Sequence, residues 1–137
     1  MNAERILIIL LRVKSVILGS ALLAVFLPFP WMDATHRWLG LGPLPGEPVV
    51  GYMARSLSAL YASHGVLALL TSFDVRRFLP IVKYQGWFGI TRGALMVGID
   101  LAERLPSWWT AAEGPWIVAT GCLLLWLANR VSMLAAR

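Results

Sequence analysis

Residues 6–27 read ILIILLRVKSVILGSALLAVFL, an apolar run in which only Arg12 and Lys14 carry charge. A helix that crosses a bilayer needs about 20 mostly apolar residues, so this stretch predicts a membrane span. Arg12 and Lys14 either snorkel to the headgroups from its first turns, or residues 4–12 lie partly in the interface. Pro28 and Pro30 stop the helix, because proline removes a donor and clashes with the preceding turn. A basic start before an apolar core also suits a cleaved leader. Here Pro28-Phe29-Pro30-Trp31 follows with no small-x-small cleavage pattern, which predicts a retained span.

The whole chain has the same character. Its 137 residues are 58% hydrophobic and 14% charged, with a mean hydropathy of +0.70. Soluble domains run nearer about 45–50% apolar and about 25% charged. The net charge of +5 does not point to nucleic acid, since no basic cluster is interleaved with exposed aromatics. Cys122 is the single cysteine, so no intrachain disulfide and no thiol metal site is predicted.

Three more spans follow, at about 52–73, 81–102 and 111–129. The connection 31–51 contains the loop sequence Gly40-Leu-Gly-Pro-Leu-Pro-Gly46, and the turn Asp33–Trp38 ahead of it is expected to be capped by Asp33. Thr110-x-x-Glu113 fits a capping box, which predicts the start of the fourth helix there. Arg5, Arg12, Lys14, Arg76, Arg77, Lys83, Arg130 and Arg137 fall on one side, against Arg37 and Arg104 on the other. That bias places both ends in the cytoplasm. Trp31, Trp38, Trp108, Trp109 and Trp116 form an outer aromatic belt.

Ionisable groups inside spans are costly and call for partners. Arg55 lies 23 residues before Phe78, and Asp100 lies 22 after it; His64 and Arg92 each lie 14 away. Across an antiparallel pair this makes two level pairs. Arg55, Ser58 and Ala62 share one helix face, and Gly86, Gly89 and Gly93 share another with Asp100. The economical expectation packs those two small-residue faces together, with an Arg55–Asp100 ion pair near the outer surface. His64 and Arg92 form the deeper pair. Either Arg92 bonds helix carbonyls and the Tyr61 hydroxyl, or Arg92, His64 and Tyr61 hold an anionic headgroup or a quinone-type carbonyl. A bis-His haem needs a second mid-membrane histidine, whereas His36 lies in the outer loop.

No phosphate loop, His-Glu-x-x-His, Gly-x-Ser-x-Gly or CxxC occurs. The sequence therefore names no catalytic residue, no metal ligand and no definite cofactor.

The layout resembles small four-helix bacterial inner-membrane proteins of the DoxX-like type. The residues that carry the likeness are the Gly/Pro loop ahead of Tyr52-Met-Ala-Arg55-Ser56, then Ser72-Phe-Asp74-Val-Arg-Arg77, Gly98-Ile-Asp100, Pro106-Ser-Trp-Trp109 and Glu113-Gly-Pro115. Some proteins of that type are accessory subunits of respiratory or sulfur-oxidising quinone enzymes, but no functional residue is carried over.

The fold expected is all-α: a single-domain, integral membrane, antiparallel four-helix bundle with crossings of about 20°. The role expected is that of a non-enzymatic accessory subunit or homo-oligomer, binding lipid, hydrophobic partners or a larger membrane complex. A quinone- or redox-linked subunit and the protomer of a small transporter or channel are the alternatives.

Overall fold

The computed structural model describes residues 2–135. Among them are six helices and no strand: α1 (Ala3–Ser20), α2 (Leu22–Phe26), α3 (Phe29–Trp38), α4 (Pro48–Phe73), α5 (Leu79–Ala102) and α6 (Ser107–Ala135). Three stretches, Ala3–Phe26, Pro48–Phe73 and Ser107–Leu134, are long and apolar enough to cross a membrane. The helix α5 is comparably long but carries Lys83, Gln85, Arg92 and Asp100 and is not among the three.

Several boundaries differ from expectation for local reasons. The first span is interrupted at Ala21, after Gly19-Ser20, where Ser20 Oγ donates to the Ile17 carbonyl at 2.7 Å; Gly/Ser pairs are common break points. Leu27 is extended (ψ 134), as a residue before proline must be. α3 begins at Phe29 with Pro30 in its first turn, so Asp33 lies inside the helix and does not cap it. α6 begins at Ser107, three residues before Thr110, and the Thr110 amide donates to the Pro106 carbonyl. Glu113 instead accepts the Trp109 indole N–H at 2.6 Å. The expected capping box is therefore not formed.

The chain folds as two compact units, one of Met1–Leu11 with Leu70–Arg137 and one of Arg12–Leu69. In the first, α5 and α6 run antiparallel along a glycine seam. A Cβ at Gly93 would lie 2.7 Å from the Gly114 carbonyl oxygen, and one at Gly121 would lie 2.7 Å from the Gly86 carbonyl oxygen. Gly89 sits over the Gly121 Cα. The glycine face of α5 is thus filled by α6, which corrects its expected partner, the Ser58 and Ala62 face. α6 carries glycines at the same seven-residue spacing, so the two backbones approach more closely than side chains on a facing helix permit.

Elsewhere in this unit the buried Gln85 donates to Thr71 Oγ1 at 3.2 Å. Arg76 makes a two-pronged contact with Glu4, at 3.1 and 2.9 Å. That pair ties the start of α1 to the α4–α5 turn, and Asp74 closes the turn by accepting the Arg77 amide.

In the second unit α1 and α4 meet at another close approach. A Cβ on Gly65 would fall 2.7 Å from the Gly19 nitrogen and 3.0 Å from the Ser15 carbonyl oxygen. α3 ends in a Schellman motif: the Leu41 and Gly40 amides donate to the His36 and Arg37 carbonyls. Gly40 supplies the left-handed residue this needs, at φ +73°.

The seam makes a direct prediction. Gly93→Ala is expected to destabilise the protein by about 1–3 kcal/mol, the usual cost of overpacking. Gly98→Ala, whose Cβ would meet nothing within 4 Å, is expected to be neutral. Thermal melting of the two variants in detergent checks the contrast.

Candidate functional site

The charged and polar groups within the long helices are where chemistry was expected. Arg55 is satisfied by main-chain oxygen. Its Nε donates to the Val25 carbonyl at 3.1 Å and its Nη2 to the Leu27 carbonyl at 3.0 Å, while Nη1 lies 3.5 Å from the Gly51 carbonyl. The cause lies in the broken first span. Pro28 and Pro30 take two N–H donors from the chain just beyond α2, and a helix end leaves its last carbonyls without intrahelical partners. A guanidinium offers several donors in a planar fork and suits the negative end of a helix. Gly51 makes room for it, since a Cβ there would stand 3.1 Å from Arg55 Nη1.

Asp100, the residue expected to pair with Arg55, belongs to the other unit. It is 1% exposed, and its Oδ2 has no hydrogen-bond partner. Within their own units, helix carbonyls satisfy the arginine, and the buried carboxyl keeps an open oxygen.

The deeper residues are likewise split between the units. Tyr61 and His64 stand on α4, and Arg92, half-buried, stands on α5. His64 Nδ1 lies 3.0 Å from the Leu60 carbonyl of its own helix. A carbonyl can only accept, so Nδ1 carries the proton. No group of three or more His, Cys, Asp or Glu side chains able to hold a metal occurs among the described residues. No family model, no curated protein and no solved structure matches this chain. The functional reading therefore rests on residues and geometry alone.

One polar arrangement was not anticipated from the sequence. The loop after α3 folds back onto that helix and is latched at two points. The Leu44 amide donates to Asp33 Oδ1 at 2.7 Å, and His36 Nδ1 donates to the Gly42 carbonyl at 2.8 Å. Arg37 Nε holds the other Asp33 oxygen at 2.9 Å. Asp33 and the Pro-flanked Leu44 stand eleven residues apart, a spacing no local turn motif uses, so no pattern announces the contact. Grooves elsewhere are shallow; one of about 470 Å³ lies on α6 between Ala111, Ala112, Pro115, Trp116 and Ala119. There Pro115 cannot donate to the Ala111 carbonyl.

The Leu44 amide, and next the Arg37 guanidinium, hold the Asp33 carboxyl below the usual carboxylate range. A lowered folded value means the latch adds its full stability above the ordinary pKa of about 4 and loses it as pH falls through the folded value. The protection factor of the Leu44 amide should accordingly hold from neutral pH to about pH 5 and fall only in stronger acid. Asp33→Asn should remove that acid dependence.

Truncating Arg55 exposes two unpaired carbonyls, so Arg55→Ala is expected to cost about 2 kcal/mol. Asp100→Asn replaces a buried carboxyl whose Oδ2 has no partner and should leave the melting temperature unchanged or raised. A loss at Asp100 as large as that at Arg55 would show the carboxylate to be engaged.

Proposed function

We propose that this chain is a four-span protein of the cell inner membrane, with both termini cytoplasmic. Its role is that of a non-enzymatic membrane subunit that associates with hydrophobic partners, with copies of itself or with lipid. The observation that carries this reading is the direction of its apolar surface. Val16, Leu23, Trp87 and Leu95 are more than half exposed, while Thr71, Gln85 and Asp100 are buried. Water disfavours so many exposed large apolar side chains, and exposed apolar surface of that kind marks a lipid or protein contact.

The fourth span is supported by the glycine seam. A helix as polar as α5 gains little from lipid by itself, but its backbone lies against that of α6 from Gly86 to Gly93. A helix so closely packed along a spanning neighbour shares its depth. The Glu4–Arg76 contact supports placing the start of α1 and the α4–α5 turn on one side, and the eight-to-two cation bias makes that side the cytoplasm.

Reporter fusions distinguish four spans from three. With four, a fluorescent protein fused after Arg137 should light up and alkaline phosphatase at the same place should stay silent. If α5 does not cross, the two reporters exchange behaviour, and the four-span reading is overturned.

A further inference from the structure

We infer that α3 is an interfacial anchor, lying along the outer surface of the bilayer with Trp31 and Trp38 set into the boundary between headgroups and acyl chains. The inference rests on the membrane reading above and adds a lipid-binding surface to it.

At about 100° per residue, Trp31, Ala34, Thr35 and Trp38 fall on one arc of α3, and Asp33 and His36 fall on the opposite arc. The structure treats the two arcs differently. Asp33 and His36 are occupied by the folded-back loop through Leu44 and Gly42. The other arc is open: Trp31 is 67% exposed and Trp38 82%. Its single hydroxyl, Thr35 Oγ1, donates to the Trp31 carbonyl at 2.8 Å, so the face offers little that needs water. A shallow groove of about 320 Å³ runs along it between Leu27, Trp31, Ala34 and Thr35.

Chain connectivity names the occupant. Only Leu27 and Pro28 separate α3 from Phe26, the last residue of a stretch able to cross a membrane. Three residue steps reach about 10 Å, so the first turn of α3 cannot leave the bilayer surface. The next such stretch begins at Pro48, which returns the loop to the same surface. A ten-residue helix is about 15 Å long, too short to cross the hydrocarbon. Indole rings favour that boundary, where an apolar body meets a polar edge. The latch keeps the loop on the aqueous side and turns the two tryptophans toward lipid.

Spin labels in phosphatidylcholine–phosphatidylglycerol vesicles test this. Cys122→Ser gives a cysteine-free background, into which Ala34→Cys, Thr35→Cys, Gly46→Cys and Val16→Cys are introduced one at a time. Collision with molecular oxygen is compared with collision with a water-soluble nickel chelate. The ratio of oxygen to nickel accessibility is expected to be severalfold higher at positions 34 and 35 than at loop position 46. Position 16, on the exposed side of the first span, should give the highest ratio. A ratio at 34 and 35 equal to that at 46 overturns the anchor, as does shielding of both positions from both reagents, which would mean a protein covers the face. A water-like ratio at position 16 would instead sink the membrane reading itself.

Discussion

Between α5 and α6 the main chains come so close that a single added carbon on Gly93, Gly114 or Gly121 would press on the opposing backbone. Much of the first unit follows from this approach. α5 carries Lys83, Gln85, Arg92 and Asp100, and it lies against α6 by giving up side-chain bulk on one face. Glycine at seven-residue intervals supplies that face on both helices. Many small dispersion contacts between backbones then contribute to the attraction.

A second constraint runs through the other unit: polar groups are satisfied by the chain itself. The proline-stopped first span leaves carbonyls open, and Arg55 reaches them from α4. His64 bonds the carbonyl one turn back, and Ser63 does the same with Ala59. In each case a side chain that looks available for chemistry in the sequence is engaged in maintaining the backbone. In the first unit Asp100 contrasts with these, buried with an open oxygen.

Helix content and the approximate limits of the long helices were legible because hydropathy and proline report them directly. Helix partners were not. The Gly86–Gly93 face is visible in the sequence, but matching the depth of Arg55 with Asp100 weighs charge over shape and does not find α6 as its mate. Gly114 and Gly121 carried the missing signal at the same spacing, as did Ser15-x-x-x-Gly19 opposite Gly65. Partners of arginine were also illegible, because an open carbonyl belongs to no residue type. It appears only once the prolines are known to interrupt the hydrogen-bond ladder nearby. The latch on α3 depends on a backbone amide eleven residues from Asp33 and leaves no pattern in composition.

The α5–α6 seam also bears on how the chain is made. Ribosomes deliver α5 before α6, so a helix carrying Lys83, Arg92 and Asp100 emerges ahead of the one that accommodates its glycine face. In a four-span protein, α5 gains its closest packing only when α6 has been synthesised. The two are then best regarded as one insertion unit, a helical hairpin whose second arm commits the first.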